Sequence, residues 1–146
     1  MTEIAEPLIH MARTGRNRCF GCSPDNPHGL RLDFFLDPGG MVVCLPTVPD
    51  RFEGPPGHVH GGILATLLDE VMSKSVRSLG VRALTRQMEI DYLRPVPVET
   101  PLRVEGRMVR AEGRKYWTEA RILSQENRIL AQAKGLFVAL RGNRRF

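Results

Sequence analysis

The sequence predicts an α+β domain in which an antiparallel sheet of about six strands wraps around one long helix. Three observations carry that prediction. Residues 61–79 alone combine helical periodicity with the absence of proline, the flanking stretches alternate like strands, and the last four strand-like stretches are joined by connectors too short for parallel crossovers. A chain of 146 residues, 42% apolar and 25% charged, is enough for one hydrophobic core and too short for two.

Residues 1–28 are polar and interrupted by Pro7, Gly15, Gly21, Pro24 and Pro27, so they read as an irregular N-terminal arm with at most a short helix over 8–13. Residues 29–146 form the single domain. Leu32, Phe34 and Leu36 alternate, residues 37–40 (Asp-Pro-Gly-Gly) supply turn chemistry, and residues 41–45 resume as a strand, which predicts a hairpin. Pro46, Pro49, Gly54, Pro55, Pro56 and Gly57 make residues 46–57 a long loop. The helix over 61–79 spaces Leu64, Leu67, Leu68, Val71 and Ser75 at its own period and stops at Gly80. Strands over 85–93, 102–112, 115–124 and 128–140 follow as an antiparallel meander. One helix cannot cover both faces of such a sheet, so an uncovered apolar face or edge predicts association with further copies of the chain.

The 21 basic and 16 acidic residues give a net charge of +5, which favours anionic partners. The charges are dispersed, with small clusters at Arg13/Arg16/Arg18 and Arg141/Arg144/Arg145, and aromatic residues are only 6% of the chain, so nucleic acid is not expected as a partner. A small phosphorylated ligand suits the same surplus. No apolar run reaches membrane-spanning or signal-peptide length, so no membrane association and a cytoplasmic location are expected. Three cysteines, an odd number, point to reduced thiols. Cys19-x-x-Cys22 has half the spacing of a zinc site, with His10, His28 and Cys44 as available partners. No second Cys-x-x-Cys follows, so a packed pair of thiols and no metal is the expectation. Trp117 with Tyr116 reads as a strand packing pair.

On a helical wheel Leu64, Leu67, Leu68 and Val71 share one side, while Gly62, Thr66, Asp69 and Ser73 form a small or polar stripe on the other. Asp69 is the acid in that stripe; Glu70 lies about 100° away, where it can pair with Lys74. A solvated helix face has the same composition, so the stripe alone decides nothing. The segment His58-Val-His60-Gly61-Gly62 adds a reason. Two glycines opening a helix cost stability, and bare N–H groups at the positive end of the helix can donate to an oxygen that becomes negative in a transition state.

His60-Gly61-Gly62 followed nine positions after the histidine by Asp69, within HVHGGILATLLDEVMSKSV, resembles the signature of hotdog-fold thioesterases related to the phenylacetate-degradation and 4-hydroxybenzoyl-CoA enzymes. The resemblance extends to Cys19-Phe-Gly-Cys22, Asn26-Pro-His-Gly-Leu30, Met88-Glu-Ile-Asp-Tyr-Leu-Arg-Pro95 and Ala131-Gln-Ala-Lys-Gly-Leu-Phe137, so it covers about residues 19–140. It implies hydrolysis of an acyl-CoA thioester without a cofactor, and a homodimer or homotetramer whose sites form across two subunits. Asp69 takes the role of nucleophile or general base, the Gly61 N–H that of oxyanion donor, and His60 orients the turn. Thr85, sixteen residues after Asp69, matches a Ser or Thr that positions water or substrate, where a β-branched strand residue would otherwise be the reading. Gly62, Thr66 and Ser73 line the substrate side. Glu53 stands where some relatives carry a neutral amide; it either raises a carboxyl pKa beside Asp69 or faces water. Arg94, Arg110, Arg114 and Lys115 are candidates for the CoA phosphates. A non-catalytic acyl-CoA binding module, and a hydratase or dehydratase using His58 or His60, are the alternatives on the same fold.

Overall fold

The computed structural model describes residues 7–13 and 17–142. Gly15 and Arg16 of the arm, and Arg144 and Arg145 of the C-terminal cluster, lie outside the described residues. Among the described residues one α-helix, α1 (Gly61–Arg77), packs on a seven-stranded antiparallel sheet. The strands are β1 (Ile9–His10), β2 (Phe35–Leu36), β3 (Val42–Cys44), β4 (Ala83–Tyr92), β5 (Arg103–Glu112), β6 (Lys115–Leu123) and β7 (Ile129–Ala139). None of the described helices is long and apolar enough to cross a membrane.

The spatial order is β1-β2-β3-β5-β6-β7-β4. Strands β5, β6 and β7 form the expected meander, but β4, first of the four long strands, pairs with the last of them. Helix α1 carries the chain from β3 across the sheet, so β4 enters at the far edge. The short helix expected over 8–13 is a strand instead: Ile9 and His10 pair with Leu36 and Phe35, and the Met11 N–H donates to the Phe34 carbonyl at 2.9 Å. Strand β2 offers backbone groups there that a local helix would leave unpaired. The long loop over 46–57 contains one 3-10 turn, Asp50–Phe52, which buries Phe52.

The core lies between the helix and one sheet face. Leu64, Leu67, Leu68, Val71, Met72 and Val76 of α1 are buried with Val104, Ala120, Ile122, Ala131, Ala133 and Phe137. Contact is closest at Gly106, where a Cβ would stand 2.7 Å from the Val71 carbonyl carbon and oxygen. A strand glycine therefore sets the helix–sheet distance, backbone against backbone.

The outer face departs from the expectation of an exposed apolar surface. Register aligns Glu105, Arg121, Gln132 and Asp91 in one cross-strand row and Arg107, Glu119, Lys134 and Glu89 in the next. Glu105 is buried between Arg103 and Arg121, at 3.1 and 2.8 Å. Opposite charges across strands satisfy each other and water, so this face needs no cover. Exposed apolar groups are scattered, at Ile9, Phe20, Leu45, Leu79 and Val109 among others, and three of them, Leu84, Tyr92 and Leu93, lie along or just past β4. Gly106→Ala should destabilise the chain by about 1–3 kcal/mol, as overpacking does. Urea unfolding checks this: the midpoint should fall with the slope unchanged, and an unmoved midpoint would show that the helix can retreat at no cost.

Candidate active site

A β-bulge aims the first functional pair. Thr85 opposes Phe137 and Gln87 opposes Leu136, so Arg86 is an extra residue in β4. Side chains alternate along a strand, and Thr85 and Met88 are three apart; without the bulge they would face opposite sides. With it both face α1. The Thr85 hydroxyl then donates to Asp69 Oδ1 at 2.7 Å, which fixes the carboxylate and leaves Oδ2 for another proton donor. Asp69 is half-buried and Thr85 is exposed, so the pair opens outward at the sheet edge.

At the other end of the same edge, Tyr92 Oη donates to the Gly61 carbonyl at 3.0 Å. Strand β4 thus runs along the polar stripe of α1 from Asp69 to the helix start. Tyr92 was not singled out from sequence, although it lies within the stretch Met88 to Pro95 that carries the family resemblance. His60 is the N-cap: its Nδ1 accepts the Gly62 N–H at 2.9 Å. A Cβ on Gly62 would stand 3.2 Å from that nitrogen, so glycine lets the imidazole fold over the first turn. Gly61 has right-handed helical backbone, and a Cβ there would come no nearer than 3.8 Å to another side chain, that of Tyr92. The chain's own atoms therefore leave space at Gly61. The Gly62 N–H is committed to His60, and no hydrogen bond among the described residues engages the Gly61 N–H, which leaves it available as a donor at the helix start.

The other candidates divide. Ser73 is half-buried in the stripe, and Thr66 Oγ1 donates to the Gly62 carbonyl at 3.0 Å. Glu53 is exposed, and among the described residues no hydrogen bond or ion pair joins it to Asp69. His58 Nδ1 lies 3.0 Å from the Pro56 carbonyl. Arg94 is exposed just past β4, and Lys115 is exposed at the head of β6. Arg114 directs Nε and Nη2 to the Ala139 carbonyl at 3.0 and 2.9 Å. Arg110 stacks 3.9 Å over the Trp117 ring and approaches Glu112 at 3.7 Å. This corrects the pairing expected for Trp117: consecutive strand residues face opposite sides, so Tyr116 packs on the core while Trp117 meets Arg110 across the strand.

The Cys19/Cys22 pair meets the opposite flank of α1. The Glu70–Lys74 pair forms at 3.4 Å, and both side chains also reach the thiols. Burial, with Glu70 adding and Lys74 opposing, pushes the Cys22 thiol up to about 12. Lys74 is raised despite its burial, because Glu70 and Cys22 favour its charged form.

A sheet curled on a single helix, with a glycine-opened helix start and a mid-helix acid at the sheet edge, is the hotdog architecture. The chain belongs to the thioesterase superfamily, whose family model matches residues 56–131, over half of it. It is 32% identical over 75 residues to acyl-coenzyme A thioesterase THEM4 of Xenopus laevis, covering 47% of this chain and 34% of that protein. The chain therefore spans about a third of the length of that curated relative. Among solved structures, the thioesterase superfamily protein RHA08564 superposes with a TM-score of 0.75 at 33% identity, over 79% of this chain and 57% of that one. A hypothetical thioesterase from Streptococcus pneumoniae TIGR4, solved with coenzyme A, superposes with a TM-score of 0.67 at 28% identity, over 72% and 84%.

Capping explains why a histidine precedes the glycines. His60→Ala should cost about 1 kcal/mol of stability, while His60→Asn, a good N-cap, should retain most of it. Thermal unfolding of the two variants decides, and equal losses would assign the histidine a role other than capping.

Proposed function

We propose that this chain hydrolyses acyl-CoA thioesters to a carboxylic acid and the CoA thiol, with Asp69 as general base toward water. The observation that carries the proposal is the Thr85–Asp69 hydrogen bond at 2.7 Å, on the helix that the His60-Gly61-Gly62 turn opens. Asp69 Oδ2 takes the proton as water adds to the thioester carbonyl; the carbonyl oxygen becomes an oxyanion facing the Gly61 N–H; the C–S bond breaks and the thiolate leaves to be protonated. Thr85 holds the carboxylate and does not itself touch the reacting carbon. The outward-facing cations, among them Arg94, suit the phosphates of CoA, and the solved relative with coenzyme A supports that choice of ligand. The paired acid and hydroxyl at Asp69 and Thr85, with no histidine between them, favour hydrolysis over a histidine-dependent dehydratase.

One chain does not complete this site. Asp69 follows Gly61 by eight helical steps, a rise of about 12 Å. Base and oxyanion donor must both lie within about 3 Å of one reacting group, so the two come from different copies. The exposed β4 edge, with Leu84 and Tyr92, is where we place the second copy, in a homodimer or a tetramer of such dimers.

Asp69→Asn should lower kcat for thioester cleavage by roughly two to four orders of magnitude with the fold intact. Activity kept within a few-fold, read with a free-thiol reagent, would remove Asp69 from the mechanism. Thr85→Ala should cost about tenfold in kcat and Thr85→Ser should restore it. Gly61→Ala should depress kcat by roughly 10- to 1000-fold while changing the affinity for a non-hydrolysable acyl-CoA far less; equal losses would point to a binding module. Mixing subunits tests the shared site. A hybrid of Asp69→Asn and Gly61→Ala chains has one site with both lesions and one with neither, so random pairing should recover about a quarter of native activity. No recovery in verified hybrids would place base and donor in one chain.

A further inference from the structure

Cys19 and Cys22 lie at a knuckle that the arm builds for itself. Cys19 N–H bonds to Asn17 Oδ1 at 2.9 Å, and the Ser23 N–H closes the turn onto the Cys19 carbonyl at 3.0 Å. The segment from Asn26 to Leu32 then braces it: Leu30 N–H donates to the Phe20 carbonyl at 2.8 Å and Leu32 N–H to the Gly21 carbonyl at 2.9 Å. Glu70 of α1 arrives from the other side. A Cβ at Gly21 would lie 2.5 Å from Glu70 Cδ and 2.7 Å from Oε1, so a glycine at the tip of the knuckle is what admits the carboxylate.

The result is two thiols and one carboxylate whose ligand atoms all lie within 4.8 Å of one another. In a tetrahedral zinc site, bonds of about 2.3 Å to sulfur and 2.0 Å to oxygen set neighbouring S and O ligands about 3.5 Å apart. Cys19 Sγ and Glu70 Oε1 are 3.7 Å apart. The second carboxylate oxygen, Oε2, faces Lys74 Nζ at 3.4 Å, and the same ammonium lies 3.5 Å from Cys22 Sγ. A cation between the three ligands would thus find its outer shell in place: a lysine that orients both a carboxylate and a thiolate and offsets the surplus negative charge. No histidine takes part, because His10 is bonded to Asp33 and His28 is exposed.

We propose that Cys19, Cys22 and Glu70 form a binding site for a zinc-class divalent cation, with Lys74 as its outer-shell partner and solvent in the fourth position. Two soft thiolates with one carboxylate select zinc over magnesium or calcium. Binding releases the thiol protons, since a coordinating thiol is deprotonated by the cation itself. The cation would tie the arm to α1 and keep one solvent position open, and its binding is independent of the thioesterase reading.

The test uses the full chain, reduced and stripped with chelator under anaerobic conditions, titrated with Co2+ and then with Zn2+. One cobalt per chain is expected, with a sulfur-to-cobalt charge-transfer band that zinc abolishes, and a Tm that climbs with zinc concentration. Cys19→Ser and Cys22→Ser should each diminish the band and weaken zinc binding by roughly 100-fold or more, beyond the 10- to 100-fold expected for the outer-shell variant Lys74→Gln. Cys44→Ala should bind as the native chain does. Failure of the reduced native chain to take up cobalt overturns the site whatever the variants do. So does a band that survives loss of both Cys19 and Cys22. Retained metal binding in Glu70→Gln at native affinity would overturn the assignment of the third ligand.

Discussion

The distance between α1 and β5 governs everything else in this molecule. At Gly106 the strand backbone meets the Val71 carbonyl with no room for a methyl group, and at Gly135 a Cβ would lie 3.0 Å from Met72 Sδ and from Thr118 Oγ1. A helix pressed so closely on a sheet cannot roll without driving a side chain into backbone. Its rotational phase is therefore fixed, and each further residue turns by about 100° from that origin. Leu64, Leu67, Leu68 and Val71 take the core; each fully buried chain of this size contributes roughly 1.5–3 kcal/mol. The remaining two flanks are then assigned without freedom: Asp69 to the β4 edge and Glu70 to the knuckle.

The β4 edge is shaped by two opposing needs. A site at the edge of a sheet must present side chains toward the helix, yet the strand must keep its pairing with the neighbouring strand in register. The bulge at Arg86 meets the first need locally, turning Thr85 inward without shifting the pairing of residues 87–92 with β7. The second need is met because the bulge takes up a single residue, and pairing with β7 resumes at once from Gln87 to Tyr92. The outer face differs in kind. Its cross-strand rows are polar and largely of opposite charge, and the β4 edge is where backbone groups stay unpaired within one chain.

What the sequence disclosed follows from range. The start of α1 and its polar stripe rest on residues within a few turns, and the structure keeps both; it also sets Asp69 beside Thr85 at the sheet edge and Glu70 against the arm. Thr85 was placed only through the family resemblance, because nothing in its neighbours marks Arg86 as the residue to be looped out. The position of β4 beside β7 depends on pairings some 45 residues apart, such as Met88 with Gly135. The approach of Glu70 to Cys19 spans 51 positions and lies beyond any periodicity. One signal was present and unused: isolated glycines inside strand patterns, at Gly106 and Gly135, mark where another backbone comes close.

Glu70 and Asp69 are neighbours in sequence, and their partners hold opposite sides of one rigid rod. Thr85 restrains the rod from the edge, while Lys74, Cys19 and the bare Gly21 restrain it from the arm. His60 closes its first turn, and Tyr92 ties that turn to the same edge strand. A helix restrained at its start and on both flanks, and pressed on glycine below, has no soft direction left along which Asp69 can drift. The position of one carboxylate oxygen thus depends on residues scattered from the arm to β7. The arm, which looked in sequence like an irregular lead-in, is one of the walls that hold the site in place.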